Sequence, residues 1–264
     1  PLIPTITDHT DSYTFSSPTG LLNATQFTQP ALTLVAKAAF EDMKARGLVA
    51  QNCAFAGHSL GEYASLAAVG DIIPIETLCD IVFYRGLTMQ SAVRRGADGR
   101  SDYGMIAVSP TRISAAFREH EFRFVVEGVR AALQGALLEI VNYNIEDGQY
   151  VVAGELRALE VLTQSMNFIK VKAVKIAEYV KELPEEQVRK QLKEMVDHVC
   201  KEVDKRGPVS EVSKGYASIP LVGIDVPFHS SYLLTGVGPF RSILRKKLDP
   251  ALVSVERLCG RYIP

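Results

Sequence analysis

Tryptophan is absent from the 264 residues of this chain, and cysteine and histidine are scarce, at 4 and 5. The cysteines (Cys53, Cys79, Cys200 and Cys259) lie far apart, without the short spacings of a metal centre, so no metal site is expected. Cys53 and Cys79 fall in apolar runs, where a reduced thiol behaves as a small hydrophobe. That usage suits a reducing compartment better than a disulfide scaffold. A formal net charge of −1 leaves little to attract nucleic acid or an anionic membrane as the main partner. No apolar run reaches the roughly 18 residues of a membrane span, and the first residues do not read as a secretory leader. A cytoplasmic protein is expected. The chain opens at Pro1 and closes at Pro264 in mid-phrase, so a piece of a larger polypeptide is expected as well.

What is present is an ordinary globular composition, 47% hydrophobic and 22% charged, long enough for a large domain with a smaller partner. Residues 1–27 are rich in Thr, Ser, Asp and Pro and read as loop. A helix is expected from Thr28 or Gln29, with Pro30 in its first turn and Leu32, Val35, Ala36, Ala39 and Met43 as its apolar stripe. Cys53–Ala56 reads as a short buried strand, residues 60–69 as a helix, and Pro74 opens another carrying Leu78, Val82, Arg85 and Met89 on one face. The stretch Gly96–Gly104 reads as a linker. Beyond it, strands are expected at Met105–Val108, Leu137–Tyr143 and Gln149–Ala153, the last two joined by a turn at Glu146–Gly148. Helices are expected at Thr111–His120, 122–134 and Leu156–Ile169. This is the pattern of a small α+β sandwich. In Pro184–Asp204, Val188, Leu192, Met195, Val199 and Val203 recur at helical spacing among Glu and Lys. This helix docks on its own domain or on a neighbouring subunit. Ile219–Val226 reads as a returning strand. Basic residues gather at Arg94, Arg95 and Arg100 and at Arg241, Arg245, Lys246 and Lys247, where a solvated face competes with a phosphate or carrier-protein contact.

The chemistry concentrates in three places. Gly57-His58-Ser59-Leu60-Gly61 lies between an expected strand and an expected helix, the context in which a Gly-x-Ser-x-Gly pattern is informative. The turn demands small flanking residues and pushes the serine hydroxyl outward. The following helix aims its free N-terminal amides, Leu60 first, at a developing oxyanion. A serine needs a base. Of the five histidines, His9 sits in loose sequence, His120 and His198 in polar helices, and His58 at the elbow itself, where its side chain points elsewhere. His229, in Val226-Pro227-Phe228-His229-Ser230, remains as the candidate, against a purely structural histidine at a strand end. Arg85 shares a face with apolar residues, and no acid on that helix has the spacing to pair with it. Its partner is then either another segment or an anionic substrate.

Together these residues resemble a known family. Gly57-His58-Ser59-Leu60-Gly61-Glu62 is similar to the nucleophile motif of malonyl-CoA:acyl-carrier-protein transacylases, and Thr28-Gln29-Pro30-Ala31 to their Thr-Gln-Pro helix start. Tyr84-Arg85-Gly86 with Met89-Gln90 resembles the segment whose arginine binds the malonyl carboxylate. Val141-Asn142-Tyr143-Asn144 with Gly148-Gln149 resembles the small-subdomain hairpin, and Val226 to Ser230 the catalytic-histidine motif. Within the family the wording is most similar to the malonyl/palmitoyl transferase domains of fungal fatty acid synthase β subunits, through Ser12 to Phe15, Ala24 to Phe27 and Arg261 to Pro264. The resemblance implies an α/β fold: a large α/β-hydrolase-like subdomain at residues 1–102 and 225–264, and an inserted ferredoxin-like subdomain at residues 103–224 with its extra helix near 184–204. It implies a Ser59–His229 dyad, an oxyanion amide on Leu60, and substrate contacts at Arg85, Gln29, Met89, Phe228 and Asn144. It also implies coenzyme A thioesters and carrier-protein phosphopantetheine as substrates, no bound cofactor, and acyl carrier protein and other synthase domains or subunits as partners. The family's Gly-Gln-Gly type segment, source of a second oxyanion amide, is not in these residues. A serine hydrolase or thioesterase is the competing enzyme class, and an inactive scaffold piece of a synthase the competing non-enzyme.

Overall fold

The computed structural model describes residues 7, 9–17, 20–68, 73–252 and 255–264. In chain order its elements are α1 (Thr25–Ala45), β1 (Phe55–Ala56), α2 (Leu60–Ala68), α3 (Ile75–Ala92), β2 (Tyr103–Val108), α4 (Glu119–Ala132), β3 (Leu138–Ile145), β4 (Gln149–Glu155), α5 (Leu156–Val171), α6 (Ile176–Glu182), α7 (Glu185–Asp204), β5 (Ser218–Pro220), α8 (Val237–Lys247), α9 (Val255–Leu258) and β6 (Tyr262–Ile263). They form an α/β fold with one parallel strand pair and one antiparallel sheet. The chain divides into two compact units, Pro1–Arg94 with Thr235–Pro264, and Arg95–Leu234. None of the described helices is long and apolar enough to cross a membrane.

In the first unit, β1 runs parallel to β6, Phe55 opposite Tyr262 and Ala56 opposite Ile263. Ala67, Ile73, Leu78, Ile81 and Val82 form its core, with Phe240 and Leu244 of α8 packed against them. Two expectations change here. The strand at Cys53–Ala56 is shorter and not buried: Ala54 and Ala56 are exposed while Cys53 and Phe55 are half-buried, the alternation of a strand covered on one side. Helix α1 begins at Thr25, so Pro30 lies inside it, and it buries Thr25, Gln26, Gln29 and Thr33. Its apolar stripe faces outward, with Leu32, Val35 and Met43 exposed. Gly86 of α3 explains the choice of face. A Cβ there would meet the Thr25 carbonyl oxygen at 2.5 Å and Gln26 Cα at 2.6 Å, so glycine lets the two helices touch backbone to backbone along the polar side of α1.

In the second unit the strands lie in the order β3-β4-β2-β5, every neighbouring pair antiparallel. Alternate residues serve the two faces. Ile106, Val108, Leu138, Tyr150 and Val152 join Phe122, Val125, Leu159 and Leu162 of the helices in a large core. Met105, Val151 and Ala153 form a smaller cluster with Val141 and Phe228. The β3–β4 turn closes as expected, with the Gly148 N–H donating to the Ile145 carbonyl at 3.0 Å. The expected helix over Thr111–His120 is instead a 3-10 turn at Pro110–Arg112, followed by irregular chain pinned by buried Ile113 and Phe117. Helix α4 starts at Glu119 because the Arg118 N–H donates to the Glu121 carboxylate at 2.9 Å, a side-chain cap that fixes the terminus. Helix α6 was not foreseen. The returning strand ends at Pro220; the Leu221 N–H makes one more bond, to the Met105 carbonyl at 2.9 Å, and Gly223, at φ 84°, turns the chain away.

Helix α7 docks within its own unit and buries Val188, Leu192, Val196, Val199 and Val203. Its approach to α4 depends on Gly128, where a Cβ would come within 2.4 Å of Leu192 Cδ2. Leu192→Ala should therefore cost about 2–5 kcal/mol of unfolding free energy, measured by urea titration. A loss below about 1 kcal/mol would mean the Leu192 site collapses around the deletion instead of leaving a cavity.

Candidate active site

Ser59 sits at φ 55°, in the left-handed region that side-chain-bearing residues avoid, between β1 and α2. Gly57 is obligatory: a Cβ there would overlap the Gly61 carbonyl carbon at 2.0 Å. Gly61 does not share that constraint, since a Cβ would find nothing within 4 Å, so only one of the two flanking positions must be small for steric reasons. Turn and helix are joined by the Gly61 N–H donating to the His58 carbonyl at 2.9 Å. Leu60 is the first residue of α2, and first-turn amides lack carbonyl partners within their helix. Its side chain packs on the first unit's core, which fixes that end of the helix.

Around the serine the unit gathers a polar cluster. Arg85 of α3 donates from Nη2 to Ser59 Oγ at 3.1 Å and from Nη1 to Gln29 Oε1 at 2.8 Å. Gln29 is buried and is itself held, donating from Nε2 to Thr25 Oγ1 at 2.9 Å and lying 3.6 Å from Met89 Sδ. The guanidinium stands over the Tyr63 ring, 5.3 Å from its centre. Burial lowers the pKa of Arg85, opposed first by Tyr63 and then more weakly by Glu62. Burial likewise raises the Tyr63 hydroxyl, against the pull of the Arg85 charge. Among the described residues no carboxylate lies within ion-pair distance of Arg85. The half-buried cation is thus held by neutral groups, Gln29, Ser59 Oγ and the Tyr63 ring.

His229 belongs to the second unit and is exposed, at φ 63°. The turn carrying it is closed by the Ser230 hydroxyl donating to the Pro227 carbonyl at 2.7 Å and the Phe228 N–H donating to the Val226 carbonyl at 2.9 Å. Phe228 packs on the small cluster of the sheet. Arg95 forms a two-pronged ion pair with Asp225, which accounts for that acid structurally. Asn144 is exposed near the end of β3. The structure thus brings Ser59, Leu60, Gln29, Arg85 and Met89 together in the first unit. It places His229 and Phe228 on one segment of the second, and Asn144 on another element of that unit.

Tyr63 and Thr25 escaped the sequence reading. Tyr63 follows Ser59 by four residues, the spacing that stacks side chains on one face of a helix, and that signal was available. Thr25 and Gln29 are likewise four apart, but the apolar stripe on the opposite side of α1 is the stronger periodic signal. Among the described residues no group of three His, Cys, Asp or Glu side chains could hold a metal ion, and all four cysteines are free.

The first unit thus presents an elbow serine at a helix N-terminus with a cation beside its oxygen. The chain belongs to the acyl transferase domain family, which matches residues 12–264. It is 52% identical over 259 residues to a fatty acid synthase subunit beta from Saccharomyces cerevisiae, covering 98% of this chain and 13% of that protein. It is 50% identical over 268 residues to the subunit beta of Schizosaccharomyces pombe, covering 100% of this chain and again 13% of the relative. Among solved structures, a malonyl CoA-acyl carrier protein transacylase from Clostridium perfringens superposes with a TM-score of 0.55 at 28% identity, over 88% of this chain and 53% of that one. An acyl-carrier-protein S-malonyltransferase from Burkholderia pseudomallei gives 0.52 at 26% identity, over 85% and 53% of the two chains. The chain is an acyltransferase domain that spans about one eighth of the curated relatives it matches.

Proposed function

We propose that this domain transfers malonyl groups, and long acyl groups such as palmitoyl, between coenzyme A and acyl carrier protein through an ester on Ser59. The observation that carries the reading is Arg85, a half-buried guanidinium that donates to Ser59 Oγ and Gln29 but pairs with no described carboxylate. A malonyl group brings the missing carboxylate to within a few bonds of the carbon the serine attacks. His229 takes the Ser59 proton as the oxygen adds to the thioester carbonyl. The Leu60 N–H steadies the oxyanion, the C–S bond breaks, and coenzyme A leaves as the thiol with that proton. A phosphopantetheine thiol then attacks the serine ester, His229 again moving the proton, and the acyl carrier protein departs loaded. Gln29, Met89, Phe228 and Asn144 are the further substrate-binding residues of this proposal.

The finer architecture belongs to the same proposal. The α/β-hydrolase-like subdomain comprises residues 1–102 and 225–264 and the ferredoxin-like one residues 103–224. These boundaries differ from those of the two compact units, which divide at Arg94/Arg95 and at Leu234/Thr235, so that His229 falls in the first subdomain but in the second unit. Support for the ferredoxin-like subdomain comes from its βαββαβ chain order and the strand order β3-β4-β2-β5. The domain works without a bound cofactor, in the cytoplasm, among other domains or subunits of a fatty acid synthase. Brief incubation of the full-length protein with malonyl-CoA, quenching in acid and peptide mass spectrometry should find a malonyl ester on the peptide containing Ser59. An unmodified Ser59 peptide, with carrier protein nonetheless loaded, would exclude the seryl ester.

A further inference from the structure

The segment that carries His229 is held at both ends, and the distal anchor has no part in the chemistry described so far. Residues 225–232 lie over the face of the four-stranded sheet that Met105, Val151 and Ala153 line, with Phe228 packed into it. On the proximal side Arg95 grips Asp225 in two-pronged fashion, and the Ser101 hydroxyl donates to the Asp225 carbonyl at 2.5 Å. On the distal side Glu139, half-buried in β3, accepts the Ser231 N–H at 2.8 Å with one oxygen and the Ser231 hydroxyl at 2.5 Å with the other. Tyr232 adds a ring contact with Tyr103, 4.8 Å between centres. Glu139 stands opposite Ala153 in the ladder, on the side that points away from the helical core. Ser231, itself exposed, engages both oxygens of this half-buried carboxylate.

His229 itself is in left-handed backbone at φ 63°, a conformation a residue with a side chain leaves when its surroundings stop imposing it. We infer that Glu139 is a positioning residue for His229: its two hydrogen bonds to Ser231 hold the strained histidine turn in one conformation, and so fix where the imidazole is presented. The inference rests on His229 being the base. Glu139 touches no reacting atom and acts only through the backbone two residues away.

The test measures acyl transfer from malonyl-CoA to carrier protein by the full-length protein, with thermal melting followed alongside. Glu139→Ala should lower kcat roughly 10- to 100-fold, the cost expected of a misplacement of about an ångström, while KM changes little. Glu139→Gln can keep both contacts, its amide oxygen accepting the Ser231 N–H and its amide nitrogen donating to the Ser231 hydroxyl, and should recover most of kcat. Ser231→Ala, which removes one of the two bonds, should fall between. A folded Glu139→Ala protein with normal kcat overturns the inference, as does Glu139→Gln as slow as Glu139→Ala, which would make the charge and not the geometry responsible. If Glu139→Ala melts, Ser231→Ala decides: normal turnover overturns the inference and a kcat-specific loss supports it. His229→Ala separates the two levels. A dead His229→Ala beside a normal Glu139→Ala sinks only the positioning role, whereas an active His229→Ala removes the base assignment and the inference with it.

Discussion

Replacing His229 with alanine should slow acylation of Ser59 by roughly three to four powers of ten, the scale on which a missing base costs a serine enzyme its nucleophile. Ser59→Ala should go further and leave no acyl-enzyme at all. The two variants fail for different reasons. Without His229 the oxygen, the Leu60 amide and the Arg85 cluster are still in place, so binding and oxyanion stabilisation survive and a slow background remains. Without Ser59 there is no oxygen to carry the acyl group, and the double variant should resemble Ser59→Ala alone, because residues that act as a unit are not additive. Single-turnover acylation with labelled malonyl-CoA separates these outcomes. Near-normal turnover of His229→Ala would point to a different base, and label on Ser59→Ala would remove Ser59 from the mechanism.

Much of this site could be read from the residues because its chemistry is local. The elbow needs a glycine at 57, a serine at 59 and a helix immediately after, all within a few positions, and the backbone at φ 55° follows from that arrangement. The spacing of Leu78, Val82, Arg85 and Met89 likewise put the guanidinium on the face where it is found. Helix α7 was legible as a helix for the same reason, since apolar residues at helical spacing in a Glu- and Lys-rich stretch define one face to bury. The spacing left its docking partner open, however, and the structure buries Val196 while Met195 is only partly covered.

What was not legible depended on tertiary partners. Nothing in the sequence of α1 says that its Thr and Gln residues, not its Leu, Val and Met, face α3. That choice was made by Gly86, more than fifty residues away, through a backbone contact no periodicity records. The strand expected over Ile219–Val226 ended at Pro220 although its composition favoured extension: the Leu221 N–H still donates to the Met105 carbonyl at 2.9 Å, and the left-handed turn at Gly223, φ 84°, then takes the chain away from β2. The helix expected over Thr111–His120 lost to a cap: a single hydrogen bond from the Arg118 N–H to Glu121 moved the start of α4 to Glu119. The clamp of Glu139 on Ser231 joins residues ninety-two apart and could not have been anticipated by spacing.

Arg85→Ala should cut malonyl transfer by roughly 30- to several-thousand-fold, the equivalent of about 2–5 kcal/mol for removing one partner of a partly desolvated charge pair. The structure sharpens this expectation because Arg85 is tied to two groups at once. Gln29 holds one end of the guanidinium at 2.8 Å, and Gln29 is held in turn by Thr25, so the cation is aimed before substrate arrives. The other end donates to Ser59 Oγ at 3.1 Å. Removing it therefore takes away both the partner for a malonyl carboxylate and one hydrogen bond to the nucleophile. Palmitoyl transfer distinguishes the two losses. A palmitoyl chain has no carboxylate to pair, so it should be transferred by Arg85→Ala at wild-type rate or faster, since an apolar chain no longer has to displace a half-buried cation. If malonyl and palmitoyl transfer fell together in a folded protein, the contact with Ser59 would be the one that matters, and Arg85 would belong to the nucleophile and not to the recognition of the substrate. Arg85→Lys adds a check. It keeps the charge but replaces a planar fork with a single ammonium that cannot serve Gln29 and a carboxylate in the same geometry. It should bind malonyl-CoA better than Arg85→Ala yet worse than wild type, while leaving palmitoyl transfer close to that of the wild-type protein.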